Sequence, residues 1–241
     1  MNLLDAGLRL ASLVYLMFQF LVVGAAMVPA VLFVKIFWDL GSLPLLALAF
    51  GAAYPIFGFT YLFLVVVIRK LVAFRSVEGD YPFISPYAIK WAFVGSLVGL
   101  AKLLFLGHIK GMPMLNLFYR AMGARLGKNV LINTANIYDF DVLTIGDNTF
   151  IGGDAVVIGH VGERGVLKIR PVRIGAKCTV GQSSVVFPGA VMGDGSVLGA
   201  LSLLPKGKEL PPNTVWGGNP LREIRKEAVP ASPEPPAEVE I

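Results

Sequence analysis

Two histidines, His108 and His160, are the side chains of this sequence best suited to exchange a proton near neutral pH. A general base needs a pKa near the working pH and must lie within hydrogen-bond reach of the group that it deprotonates. His108 stands close to Lys110 after an amphipathic helix, whereas His160 belongs to a polar stretch, 159–165, that interrupts a six-residue repeat. Because breaks in a regular repeat often carry function, His160 is the stronger candidate for a general base.

Three carboxylates could orient the imidazole of His160. Glu163 lies in the same polar stretch, and Asp139 and Asp141 flank Phe140 at an earlier break in the repeat. The two aspartates could equally position an acceptor group, or they could only accept backbone N–H bonds within a turn. The sequence alone leaves these alternatives open.

Positive charges follow the 159–165 stretch at Lys168, Arg170 and Arg173. They could neutralise a phosphate on a bound donor, or they could simply face solvent. The single cysteine, Cys178, excludes a disulfide framework within one chain, and it occupies a repeat position otherwise taken by small residues, so we expect it to be structural. The sequence has no metal-binding spacing, no Gly-rich phosphate loop and no Ser-His-Asp order, so no metal is expected.

The repeat is strictest between residues 174 and 204, where every sixth residue is apolar. The apolar series is Ile174, Val180, Val186, Met192, Leu198 and Leu204. The small residues that stand four places after members of this series are Cys178, Ser184, Ala190, Ser196 and Ser202. A period of six fits neither an α-helix nor a simple alternating strand. It predicts a coil with three short flat faces per turn, in which the aliphatic residue fills the interior and the small residue fits at the corner.

Two breaks interrupt this coil. The spacing from Ile132 to Ile145 exceeds two hexads by one residue, which predicts a bulge near Tyr138 and Asp139. The 159–165 insertion is polar and rich in glycine, and we expect it to be flexible. Side chains that do chemistry are therefore expected at these two places.

The first part of the chain is too apolar for an ordinary soluble domain. Hydrophobic residues make up 55% of the sequence and charged residues 15%, and the mean hydropathy is +0.69. Residues 10–34 and 40–68 carry no charge, and each run is long enough to span a hydrocarbon core of roughly 30 Å. They predict a two-helix transmembrane hairpin at 1–70, in which Gln19 would form a helix–helix hydrogen bond.

The segment 71–123 is predicted to hold a connector and helices at the membrane surface. Ser85 and Pro86 are typical of the N-cap and the first turn of a helix. The uncharged core of that helix is short for a third span, so we expect the helix to lie at the interface with Trp91 and Lys90 at headgroup level. A crossing of the bilayer is the alternative.

Basic residues concentrate beside the apolar segments. Residues 69–128 hold nine Lys and Arg against two acids, which favours contact with anionic lipid headgroups over nucleic acid. Because the exit of the second span is basic, the positive-inside rule predicts an inner-membrane protein whose C-terminal part faces the cytoplasm. That part is divided into a β-helix with a C-terminal cap, 124–225, and a disordered tail, 226–241.

The hexads, together with the run Trp216-Gly-Gly-Asn-Pro-Leu-Arg222, resemble the hexapeptide-repeat acyltransferases, whose fold is a left-handed parallel β-helix. The fold class expected here is therefore an α-helical transmembrane hairpin plus interfacial helices, followed by that β-helix. A closer resemblance is to the C-terminal membrane module of non-ribosomal-peptide-synthetase-like proteins, a group that includes poly-lysine synthases. The segments that carry it are 81–91, 113–127, 139–147 and 159–168.

This resemblance implies an acyltransferase that assembles as a homotrimer. In it, His160 would deprotonate a hydroxyl or amine acceptor, which then attacks an acyl thioester such as acetyl-CoA or another pantetheine thioester. Adenylation and carrier domains typical of the group are not in this sequence, so the activated group would arrive from outside, for example on an acyl or peptidyl carrier protein.

With this resemblance, the candidate catalytic residues are His160, Glu163 and Asp141. The candidate donor-binding residues are Lys168, Arg173, Trp216 and Arg222. The candidate acceptor-binding residues are Asp139, Asn133 and Arg164. Two alternatives stay open: Trp216 could only close the open end of the coil, and the chain could be a non-catalytic membrane scaffold or a partner subunit of a peptide-synthetase system.

Overall fold

Two long helices open the computed structural model, which describes residues 3–225 and the side chains of residues 13–224. Helix α1 spans Leu3–Asp39 and helix α2 spans Leu43–Leu71. Helix α1 extends past the uncharged run 10–34, and Lys35 and Asp39 form an ion pair of 2.8 Å across its last turn. The predicted disordered tail, 226–241, lies outside the described residues.

A third helix, α3, spans Pro86–Leu104 and is separated from α2 by the short strand β1, Gly79–Pro82. The Ala88 N–H donates a hydrogen bond to Ser85 Oγ at 3.2 Å, which confirms the predicted N-cap. A 3-10 turn, Leu106–Ile109, and helix α4, Pro113–Ala121, then lead into the coil. By length and composition, α1, α2 and α3 are each able to cross a membrane.

Helix α3 lies between the α1–α2 pair and the coil. On one side, Gln19 Nε2 donates to Ser96 Oγ at 3.2 Å, which confirms the predicted helix–helix hydrogen bond. On the other side, Lys102 Nζ donates to Tyr138 Oη at 3.2 Å. The same helix thus contacts both halves of the molecule.

The rest of the chain winds into a coil of short strands. Its strands are β2 (Arg125–Leu126), β3 (Leu131–Ile132), β4 (Leu143–Ile145), β5 (Phe150–Ile151), β6 (Val156–Val157), β7 (His160–Glu163), β8 (Val166–Ile169), β9 (Val172–Ile174), β10 (Thr179–Val180), β11 (Val185–Val186), β12 (Val191–Met192), β13 (Val197–Leu198), β14 (Leu203–Leu204), β15 (Glu209–Leu210), β16 (Val215–Gly217) and β17 (Arg222–Arg225). Three parallel sheets form the faces, in the orders β2–β4–β9–β12–β15, β3–β5–β10–β13–β16 and β6–β11–β14. Strand β17 closes the last face by antiparallel pairing with β16.

The interior of the coil follows the predicted hexads. The six apolar residues of the strict repeat are all between 0% and 2% exposed, as expected for side chains that fill a solenoid. The corner residues bond to neighbouring turns: Ser184 Oγ donates to the Gly199 carbonyl at 2.7 Å. Cys178 Sγ donates to the Gly193 carbonyl at 3.1 Å, and burial raises the pKa of this thiol, so Cys178 is structural.

Both predicted breaks have defined structures. At the first, Asp139 adopts a left-handed backbone conformation, with φ of 55°, before a 3-10 turn at Phe140–Val142. At the second, the segment expected to be flexible forms the antiparallel hairpin β7–β8, and β1 adds a third strand beside β8. The backbone of the insertion is ordered because these ladders satisfy its N–H and C=O groups. We call the sheet β1–β8–β7 the arm.

Candidate active site

His160 and Asp139 meet where the two breaks adjoin. His160 Nδ1 lies 2.5 Å from Asp139 Oδ2, and the side chains are 25% and 2% exposed respectively. His160 is the first residue of β7, and the left-handed turn at Asp139 brings its carboxylate under the imidazole. An ionised carboxylate only accepts hydrogen bonds, so Nδ1 carries the proton of this contact and Nε2 is the nitrogen able to take another.

Two further donors hold the Asp139 carboxylate. The Gly159 N–H donates to Oδ2 at 3.0 Å, and Trp91 Nε1 on α3 donates to Oδ1 at 2.8 Å. A Cβ at position 159 would stand 2.7 Å from Val142 Cγ2, so this close approach requires glycine. Both oxygens of a nearly fully buried carboxylate are therefore fixed, which is the arrangement needed to orient a general base.

A small cavity of about 50 Å³ adjoins the Asp139–His160 pair. Its apolar wall includes Val94 and Val98 of α3 and Met122, which follows α4. Its polar wall includes Asp141, whose carboxylate forms an ion pair with Arg69 at the end of α2 and accepts the Ser76 N–H at 2.8 Å. Asp141 thus lines the same cavity as His160, but its partners are Arg69 and Ser76.

The comparisons with known proteins concern this coil. The protein family described as the hexapeptide repeat of succinyl-transferase matches residues 142–167 and 171–200 of this chain. An Escherichia coli (strain K12) protein assigned as a colanic acid biosynthesis acetyltransferase, WcaF, is 32% identical over 132 residues, which cover 44% of this chain and 71% of that protein. The chain belongs to the hexapeptide-repeat acyltransferase family. The family fold is the left-handed parallel β-helix, as the resemblance predicted, and the family is typically trimeric.

The chain is also similar to the following two proteins. The delta-poly-L-ornithine synthetase of Acinetobacter baumannii (strain AB307-0294) is 37% identical over 120 residues, which cover 48% of this chain and 9% of that much longer protein. A solved galactoside acetyltransferase in complex with coenzyme A aligns with 61% of this chain and 86% of its own, at 20% identity and a TM-score of 0.46. The resemblance to poly-amino-acid synthetases is confirmed by the first of these.

Glu163, a predicted catalytic residue of this acyltransferase-family chain, has other partners. Its carboxylate pairs with Lys206 and lies 3.4 Å from Lys168 Nζ. These hydrogen bonds, from Lys206 first and Lys168 second, lower the pKa of the Glu163 carboxyl. Of the three carboxylates that the sequence offered, Asp139 is the one that contacts the imidazole.

The predicted donor-binding residues are spread along the coil. Lys168 belongs to the arm, and Arg173 is exposed on β9. Trp216 lies in β16 at the last turn, where its Nε1 donates to Thr214 Oγ1 at 2.9 Å and the Lys208 ammonium lies 5.0 Å from the ring centroid. Arg222 is exposed on the adjacent strand β17. Trp216 also packs against the buried core, so it closes the end of the coil.

The remaining predicted acceptor residues lie at the surface. Asn133 is exposed just after β3, and its backbone N–H donates to the Ile151 carbonyl at 2.9 Å. Arg164 is exposed at the tip of the arm, where its φ is 51°. Only Asp139 of the predicted acceptor residues stands in the cavity beside His160.

His108 takes part in helix packing. Tyr54 Oη donates to the Leu104 carbonyl at 2.6 Å and lies 2.9 Å from His108 Nδ1. Because the hydroxyl proton is engaged with Leu104, His108 Nδ1 is the donor of the second contact. Within the described part of the chain there is also no group of three or more His, Cys, Asp or Glu residues able to hold a metal ion.

Sequence reasoning missed two contributors to the site. Trp91 was expected at headgroup level, but its indole N–H points to Asp139, and its ring lies 4.7 Å from the imidazole ring. Arg69 was counted only as part of a basic exit, but it is 7% exposed and paired with Asp141. The only signal in the sequence was that Arg69 directly follows a long apolar segment. This signal did not indicate which residue would pair with it.

Proposed function

We propose that the chain is a membrane-anchored acyltransferase that moves an acyl group from a thioester to a hydroxyl or amine, with His160 as the general base. The observation that carries the proposal is the 2.5 Å contact between His160 Nδ1 and the buried Asp139 carboxylate. Such a contact orients Nε2 toward an acceptor and stabilises the imidazolium that forms.

The reaction balances without a metal or a redox partner. His160 Nε2 removes the proton from the acceptor O–H or N–H while the acceptor attacks the thioester carbonyl carbon. The tetrahedral intermediate then expels the thiolate, which takes the proton from the His160 imidazolium and leaves as a thiol. Asp139 remains ionised throughout and compensates the positive charge on His160.

The donor in this proposal is acetyl-CoA or another pantetheine thioester. The assignment of WcaF as an acetyltransferase favours an acetyl group, and the likeness to a delta-poly-L-ornithine synthetase favours a carrier-bound aminoacyl group. Lys168, Arg173 and Arg222 are the cations that would pair with donor phosphates, and Trp216 would contact the donor at the end of the coil.

The proposal places the anchor in α1 and α2 rather than in α3. Both ends of α3 contact the coil side of the molecule: Trp91 donates to Asp139 near its start, and Lys102 donates to Tyr138 near its end. A helix that crossed a bilayer of roughly 30 Å would have its ends on opposite sides, out of reach of one domain. The basic exit of α2 favours the inner membrane, with the coil in the cytoplasm.

In this proposal the chain forms a homotrimer, as is typical of the family, with donor sites between neighbouring coils. Placement of His160 beside α3 and near the end of α2 favours a lipid-linked, amphiphilic or growing-chain acceptor. A second candidate function is a non-catalytic scaffold or partner subunit of a peptide-synthetase system, which the 37% identity to a segment of the ornithine synthetase supports.

The test compares the full-length protein and His160→Ala in detergent micelles, with thiol release from acetyl-CoA and from an aminoacyl-pantetheine as the readout. We expect His160→Ala to lose about 10²- to 10⁴-fold in thiol release while it keeps the oligomeric state of the parent protein. His108→Gln is the matched control, because it removes the other histidine and should keep the rate. Equal rates for His160→Ala and the parent, or no release from either donor, would favour the scaffold.

A further inference from the structure

We infer that Trp91 is a positioning residue for the general base: its indole N–H holds the Asp139 carboxylate so that the other oxygen is directed at His160. The inference rests on the proposed role of His160. It adds a residue from a helix that composition alone marks as a membrane span.

The two carboxylate oxygens of Asp139 accept hydrogen bonds from different partners. Oδ1 accepts from Trp91 Nε1 at 2.8 Å, and Oδ2 accepts from the Gly159 N–H at 3.0 Å and from His160 Nδ1 at 2.5 Å. Without the indole donor, the carboxylate could rotate about its Cβ–Cγ bond, because Trp91 Nε1 is the only hydrogen-bond donor to Oδ1 among the residues that the structure describes. A rotated carboxylate would no longer present Oδ2 to both Gly159 and His160.

The Trp91 ring also limits the position of the imidazole directly. The two rings meet edge to face, with centroids 4.7 Å apart and planes at 69°. Tyr138 lies 6.2 Å from the imidazole centroid at a right-angle orientation, so two aromatic rings flank His160. Together with the Asp139 contact, these rings restrict the orientation of the imidazole.

Helix packing fixes Trp91 from behind. Phe93, two residues later, packs against Tyr15 and Phe18 of α1 with ring centroids 5.5 Å and 5.3 Å apart. At the start of α3, Ala88 is 4% exposed and packs with Leu167 of the arm. The orientation of the base is thereby linked to the hairpin and the arm, since both hold the turn of α3 that carries Trp91.

Loss of the indole donor should weaken the hydrogen bond between His160 Nδ1 and Asp139 Oδ2. A carboxylate that turns about its Cβ–Cγ bond no longer holds Oδ2 at 2.5 Å from Nδ1, so the Nδ1–H proton becomes less deshielded and exchanges faster with water. A variant that keeps the ring but lacks the N–H tests this bond without removing the aromatic neighbour of the imidazole.

The experiment replaces Trp91 by 3-benzothienylalanine, in which sulfur stands in place of the N–H, and separately by phenylalanine. We expect kcat for thiol release to fall about tenfold in both variants with KM for acetyl-CoA unchanged. Trp38→Phe is the matched control, because Trp38 is 66% exposed at the far end of α1.

A second readout does not depend on enzymatic activity. The chain has only two histidines, so ¹⁵N-histidine spectra of the full-length protein resolve His160 once His108→Gln assigns the other signal. An upfield shift of the His160 Nδ1–H proton signal, with faster exchange, in both Trp91 variants supports the inference, even if the parent protein releases no thiol and the proposed function fails. An unchanged Nδ1–H signal with the benzothienyl side chain overturns it, whether or not Trp91→Phe loses activity through lost bulk.

Discussion

The regular coil and the breaks in it use carboxylates in different ways. In the coil, Asp194 accepts the Ala176 N–H of a neighbouring turn at 2.8 Å, and the bond serves the fold. At the breaks, Asp139 accepts a backbone N–H as well, but an imidazole and an indole also reach it. The Asp194 carboxylate thus supports a turn of the coil, whereas the interruption of the repeat leaves the Asp139 carboxylate within reach of side chains from α3 and β7.

The largest effect should come from Asp139→Asn. The amide presents N–H donors where the carboxylate presents lone pairs, so it disfavours the tautomer of His160 that leaves Nε2 free, and we expect thiol release to fall about 10³-fold. The measurement is kcat/KM with acetyl-CoA, together with the melting temperature as a check on folding.

Asp194→Asn is the matched control in the regular coil, because an amide oxygen can still accept the Ala176 N–H. Its activity should equal that of the parent protein. A similar loss of activity in both variants would remove the distinction between coil and break.

An intermediate effect, on stability alone, should come from Leu198→Ala. Leu198 is 0% exposed in the interior of the coil, and the cavity left behind should reduce the free energy of unfolding by about 3 kcal/mol. The measurement is the midpoint of chemical denaturation followed by the loss of the β signal in circular dichroism, and kcat of the folded fraction should not change.

Val191→Ala, on the outer side of β12, is the comparison for Leu198→Ala and should cost much less because its side chain is only half-buried. The distinction between scaffold and site would fail if Leu198→Ala lowered kcat per folded molecule as strongly as Asp139→Asn.

The smallest effect should come from Glu163→Gln, since the carboxylate pairs with Lys206 and Lys168 at the surface. Its pKa is lower in the folded protein than in the unfolded chain. The pairs therefore stabilise the fold above the unfolded pKa, and this stabilisation disappears as the pH falls through the folded pKa. The melting temperatures of parent and Glu163→Gln should differ slightly at neutral pH and coincide in acid.

Thiol release by Glu163→Gln should match that of the parent protein, with Glu209→Gln, at the exposed position of β15, as a second surface control. A large loss of activity in Glu163→Gln alone would return this residue to the catalytic set.

The hexads allowed the coil to be predicted to the residue, because each short face needs one aliphatic side chain inside and one small side chain at the corner. Val180 and Leu198, three hexads apart, indeed lie opposite each other on adjacent strands. The two breaks were also located correctly from the spacing. The order of the arm was not predicted, because its strand β8 pairs with β1, whose residues lie 84 to 90 positions earlier in the chain.

The composition and period of the chain thus determine apolar helices followed by a hexapeptide coil, since both depend on interactions repeated at a fixed local spacing. Tertiary structure decided that Asp139 rather than Glu163 contacts His160. It also decided that Trp91 donates a hydrogen bond to Asp139. Those contacts join residues 21 and 48 positions apart along the chain. The first contact exists because the two breaks adjoin in the coil, and the second exists because α3 packs against them. No local pattern encodes either arrangement.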